Sequence, residues 1–225
     1  MSERILRSVI SVVAMLVTLG SVAVPTPAFA QSPGSVDPAD TRLVPSPGPN
    51  SDPGTAWECR SSGQEVRCAG TVTFQWQEQD GPEDWCSTPI LSVHGTFVRT
   101  QTRYYGYDDP TGSFLEYRRL IHVSSEESLV PASEPAASSV RAWLNMTWQT
   151  SFQVPGDLDS RVTRKQGIDT LIKPLAGGPI LLDVGQKTED RMTAPGEDFD
   201  FRGRWDIALG DPAVEFGKVC TALGL

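Results

Sequence analysis

Beyond residue 56 the chain is dominated by apolar and polar side chains that alternate with a period of two. In residues 71–77, Val72, Phe74 and Trp76 interleave with Thr71, Thr73, Gln75 and Gln77, which is how a strand with one buried face reads. Residues 140–152 hold the alternation longest, with Val140, Ala142, Leu144, Met146, Trp148, Thr150 and Phe152 on one side. Ile180, Leu182 and Val184 repeat it against Asp183 and Gln186, and Phe199, Phe201, Gly203, Trp205 and Ile207 repeat it against Asp200, Arg202, Arg204 and Asp206. Less regular strand patterns cover residues 90–105, 161–173 and 114–123, the last with Leu115, Tyr117, Ile121 and Val123 on one side.

Turn formers punctuate these runs: Tyr107-Asp108-Asp109-Pro110-Thr111-Gly112, Val154-Pro155-Gly156-Asp157 and Ala176-Gly177-Gly178-Pro179. Strands joined by short turns lie antiparallel to their neighbours. The expected fold is therefore all-β, a single antiparallel β-barrel or barrel-like sandwich of about seven to nine strands. A Greek-key sandwich needs a long crossover, for which residues 124–139 are the candidate, whereas a barrel needs none. One helix is expected at the end: Asp211 as N-cap, Pro212 in the first turn, Phe216, Val219, Cys220 and Leu223 at helical spacing, and Gly224 as terminator.

Ahead of this domain, assigned to residues 56–225, the pattern changes twice. Residues 1–30 carry Arg4 and Arg7, an uncharged apolar run over residues 9–24, and Ala28-Phe29-Ala30, the layout of a secretory signal peptide with cleavage before Gln31. The run is short for a permanent membrane span. Residues 31–55 then hold six prolines among Gly, Ser and Asp, which reads as a disordered Pro-rich linker. The expectation is a secreted, extracellular, soluble protein without a membrane span after cleavage.

Two further properties narrow the function. A formal net charge of -9 disfavours nonspecific attachment to nucleic acid or anionic lipid. Cys59, Cys68, Cys86 and Cys220 in an exported chain read as two disulfides with three possible connectivities. The turn-like Ser61-Ser62-Gly63-Gln64 favours Cys59 with Cys68 in a hairpin, leaving Cys86 for Cys220. Zinc ligation wants clustered pairs such as C-x-x-C, so no metal and no cofactor are expected.

Cys68-Ala69-Gly70, Thr111-Gly112-Ser113-Phe114, the stretch from Gly178 to Gly185 (GPILLDVG) and Val219-Cys220-Thr221-Ala222-Leu223-Gly224 together resemble a group of uncharacterised secreted all-β proteins of high-GC Gram-positive bacteria. The resemblance implies export and an all-β fold. It brings no activity and no catalytic residue.

No G-x-S-x-G elbow, S-x-x-K, H-E-x-x-H or Walker loop occurs, so serine hydrolase, zincin and NTPase chemistry lose their cheapest support. Arg103, Tyr105 and Tyr117 belong to an Arg/Tyr-rich pair of strands able to stack on ligands and grip carboxylates. Trp143 stands on the polar side of its strand, where an exposed indole suits a partner or ligand. His94 and His122 have no metal-ligand spacing. The first expectation is noncatalytic binding of a small apolar ligand, lined by Val72, Phe74, Leu144, Met146, Trp148, Ile180, Leu182 and Trp205, or of a cell-envelope component. The alternative is an extracellular carbohydrate-active hydrolase using carboxylates such as Asp183 or Asp200. Oligomeric state is not legible in the sequence.

Overall fold

The computed structural model describes residues 34–46, 54–81, 86–134, 139–175, 177–192, 200–202 and 212–225. Ten strands, one α-helix and a 3₁₀ turn (Leu158–Ser160) occur in these residues: β1 (Gly34–Val36), β2 (Leu43–Val44), β3 (Ala56–Ser62), β4 (Glu65–Asp80), β5 (Ile90–Asp108), β6 (Ser113–Pro131), β7 (Val140–Phe152), β8 (Arg161–Pro174), β9 (Leu181–Asp190), β10 (Asp200–Arg202) and α1 (Pro212–Leu223). They form one sheet in the order β1-β3-β4-β5-β6-β7-β8-β9-β10. Every pair along that path is antiparallel. The all-β expectation therefore holds, and short turns join β3 to β4 and β5 to β6. Among the described residues β1 and β10 do not pair, so the sheet is open rather than closed into a barrel. Residues 124–139 are not a crossover: β6 continues through them to Pro131, and its partner β7 starts at Val140.

Alternation matched the structure best in β4 and β7. Val72, Phe74, Leu144, Met146 and Trp148 share the inner face, as pairings of Val72 with Arg99, Phe74 with Phe97 and Trp148 with Ile121 place them in continuous cross-strand rows. Phe74 nevertheless remains 48% exposed. Two strands were misread by one position. In β9 the buried residue is Leu181, and pairing of Thr163 with Glu189 puts Asp183, Gly185, Lys187 and Glu189 inward, which turns Leu182 and Val184 outward. In β6 an irregularity between Tyr104 and Tyr105 sets Tyr105 opposite Glu116, so Glu116 points in while Leu115 and Tyr117 lie on the other side from Ile121 and Val123. A single inserted residue switches the parity of everything beyond it. Trp205 and the cleavage region fall outside the described residues.

Residues 34–46 depart from the disordered linker expected over residues 31–55. β1 pairs with β3, and β2 runs parallel to β6, using the edge of β6 at Phe114 and Leu115 where β7 has already ended. Leu43 is 1% exposed and packs with Cys59, Val66, Cys68 and Tyr105. One buried leucine anchors the segment despite its proline content. The turn leading into β2 is fixed by Asp40, which accepts from the Arg42 backbone at 2.9 Å and pairs with its guanidinium. Those Arg42 hydrogen bonds hold the Asp40 carboxyl at about 2.

At the opposite end of the inner face, α1 lays Val219 and Leu223 on Ile90, Leu129, Val140, Ala142, Ile172 and Leu181. The helix closes with Gly224 N–H donating to Thr221 and Leu225 N–H to Cys220. Asp211, the expected N-cap, lies outside the described residues. The disulfides are Cys59–Cys68, across the β3–β4 hairpin, and Cys86–Cys220, which binds α1 to the start of β5. No helix among the described residues is long and apolar enough to cross a membrane.

A charged inner face

Between the apolar ends, the middle of the inner face is polar. Cross-strand register sets Cys68, Arg103, Arg119, Thr150, Thr163 and Glu189 side by side across β4 to β9. The next row reads Gly70, Gln101, Ile121, Trp148, Lys165 and Lys187. Arg161, opposite Phe152, flanks the first row. This region thus carries Arg103, Arg119, Arg161, Lys165 and Lys187 against Glu116 and Glu189, the reverse of the net-negative chain.

The carboxylates are both engaged. Glu116, 0% exposed, accepts from Arg119 Nε at 2.8 Å and Nη2 at 2.7 Å, a bidentate pair. Burial works against the Arg119 charge, but Glu116 outweighs it and raises the guanidinium pKa. Glu189 Oε1 sits 2.7 Å from Lys165 Nζ and 3.6 Å from Lys187 Nζ. Arg103 is 2% exposed and lies over the Trp57 ring at 4.9 Å. Its Nε and Nη1 meet no acceptor among the described residues, and neither does the Trp148 indole N–H. Burial and then Arg119 lower the Arg103 pKa; burial, Arg191 and Arg119 do the same to Arg161.

Arg119, Ile121, Trp148, Thr150, Arg161, Thr163, Lys165 and Glu189 line a half-open cavity of about 140 Å³. Ile121 and Trp148 give it an apolar wall continuous with Val123, Met146, Phe97 and Leu144. Lys165 Nζ lies 4.7 Å from the Trp148 ring centroid, and the Thr150 and Thr163 hydroxyls are hydrogen-bonded at 2.9 Å. The site is not legible in the sequence because its charged residues come from β6, β8 and β9, and only register brings them together. The usable signal was Thr150 and Lys165, polar residues falling on the buried parity of their strands.

The four residues nominated from sequence separate into three places. Arg103 and Tyr105 share the inner face, where the Tyr105 hydroxyl donates to the Pro45 carbonyl at 3.2 Å. Tyr117 is on the outer side, donating to Glu65 at 3.2 Å beside Tyr104. Trp143 is also outer, but it pairs with Glu126, nine residues along β6 from Tyr117, about 30 Å away at strand rise. It borders a groove of about 720 Å³ with Val98, Asn145, Ile168, Leu171 and Lys173. Register shifts at Val93/Thr96, Trp143/Asn145 and Ile168/Thr170 cross the sheet at this level. Exposed His94 sits at the first shift, with φ 50, and exposed His122 faces outward 3.4 Å from Thr147 Oγ1. Among the described residues no three His, Cys, Asp or Glu side chains gather as metal ligands would.

Compared with protein-family models, curated proteins and solved structures, the chain finds no match.

Proposed function

We propose that this chain is an exported, noncatalytic binding protein that holds a small ligand on the inner face of a barrel-like sheet. The observation that carries the reading is the cavity lined by the apolar side chains of Ile121 and Trp148 together with the cations Arg119, Arg161 and Lys165. Concave sites with an apolar wall and a few convergent polar groups are where proteins hold small molecules. The ligand is accordingly part apolar and part polar, instead of the wholly apolar one suggested by strand alternation. Two disulfides suit an oxidising, extracellular setting, and the up-and-down strand order with a buried inner face supports the barrel-like description.

The carbohydrate-hydrolase alternative needs two carboxylates free to act on substrate. Glu116 and Glu189 are both tied to cations, which favours binding over hydrolysis. Partner binding through the Trp143 groove is the second reading, supported by that groove's larger volume.

Native mass spectrometry of the protein taken from its own secretion medium tests the proposal. A retained small-molecule adduct that disappears in Trp148→Asp is expected. Uniformly adduct-free protein that also fails to take up an environment-sensitive aromatic dye would overturn it.

A further inference from the structure

We propose that the cavity between β6 and β9 is selective for a small organic carboxylate carried on a compact apolar or aromatic body. This rests on the binding reading above and specifies the ligand's charge and size.

The charge follows from counting partners. Arg119 is satisfied by Glu116, and Lys165 by Glu189, which Lys187 also approaches. Arg161 is half-buried, lines the cavity and flanks the positive row; among the described residues Asp159 and Glu189 act on it, but from beyond ion-pair distance. Arg103, almost wholly buried and directly opposite Arg119, keeps two N–H donors without acceptors. Arg103 is buried and Arg161 half-buried; cations withdrawn from water in excess of carboxylates are costly, and an anion entering beside Arg161 offsets part of that cost. Burial first, and then the guanidinium of Arg119 for Arg103 and those of Arg191 and Arg119 for Arg161, lowers the pKa of both.

The size and character follow from the walls. A cavity of about 140 Å³ is close to the roughly 150 Å³ engineered cavity that takes up benzene. The Trp148 and Ile121 side chains offer a surface for such a body, while the Arg161 fork matches a planar carboxylate in two-point contact. The paired hydroxyls of Thr150 and Thr163 lie at the same wall and can turn a donor toward an oxyanion. Inorganic phosphate or chloride would leave the Trp148 wall unused.

Tryptophan-fluorescence and calorimetric titration of the full secreted chain with benzoate, benzamide and inorganic phosphate test the assignment. Benzoate is expected to bind at least tenfold more tightly than benzamide. In Arg161→Gln, benzoate affinity should fall at least tenfold and benzamide affinity should stay the same. The wild-type comparison decides the matter even if that variant does not fold. Equal binding of benzoate and benzamide would overturn the carboxylate inference and leave the binding reading standing. Phosphate competing as well as benzoate would overturn the organic assignment in favour of a simple oxyanion site. Binding of none of the three, with dye uptake retained, would overturn this inference alone; loss of dye uptake as well would overturn both.

Discussion

Arg103 on β5 stands directly opposite Arg119 on β6, both side chains turned into the protein, with Glu116 paired only to the second. Like charges in register destabilise a sheet, so Glu116 is the group that makes the pair tolerable. Glu116→Gln should lower stability by about 3 to 5 kcal/mol, the usual loss when one member of a buried ion pair is removed. Adding Arg119→Met should recover part of that loss. Urea unfolding of the single and double variants checks it; a neutral single variant would mean that Arg119 finds other compensation.

The two disulfides should differ in weight. Cys59–Cys68 spans 9 positions and Cys86–Cys220 spans 134, so the chain-entropy relation assigns about 2.5 kcal/mol to the first and about 5 to the second. Cys86→Ala/Cys220→Ala should therefore unfold at a clearly lower urea concentration than Cys59→Ala/Cys68→Ala. Equal midpoints for the two double variants would contradict this ranking.

Tyr105 should make the fold alkali-sensitive. Burial, followed by the charge of Glu116, raises its phenol pKa above the ordinary 10.0, so the folded protein keeps the proton more tightly than the unfolded chain. That contribution is fully present below pH 10 and is lost as pH climbs toward the folded value. The urea midpoint of the wild type should fall between pH 10 and 12 more steeply than that of Tyr105→Phe. Parallel pH profiles for the two proteins would show that Tyr105 titrates alike in the folded and unfolded states.

Gly95 and Trp76 form a cross-strand pair in which the indole covers the glycine; a Cβ at residue 95 would come within 1.8 Å of the ring. The covered indole N–H donates to Ser92 Oγ at 3.0 Å, and that hydroxyl donates in turn to Glu127. Gly95→Ala should displace the ring, break this chain and cost about 1 to 3 kcal/mol, with a red shift in tryptophan emission. Gly95→Ala in a Trp76→Val background should cost much less.

The parts of this fold that could be read from the chain are those governed by local rules. Val140 to Phe152 alternates without interruption and is one strand; Pro212 to Leu223 carries a helical stripe and is one helix; the turn at Ser61 to Gln64 brings Cys59 onto Cys68. What escaped depends on register. The irregularity beside Tyr105 reverses the facing of Glu116 and Tyr117, and β9 turns Lys187 and Glu189 inward because Thr163 pairs with Glu189. Neither shift leaves a mark in the spacing of apolar residues. Leu43 escaped for another reason: one buried side chain, with backbone pairing to β6, outweighs the turn-rich composition around it. Of the candidate site, Arg103 and Tyr105 were legible as residues, but their neighbours across the sheet were not.

Cys220 follows Cys86 by 134 positions, beyond all of β5 to β9, and its bond to Cys86 fastens the helix that roofs the apolar end of the sheet. The covalent lock therefore cannot close until the ribosome has made every one of those strands. Before that moment β5 to β9 must hold their pairing by hydrogen bonds and burial alone, and a Cys220→Ser chain would leave a thiol on Cys86 with nothing to meet.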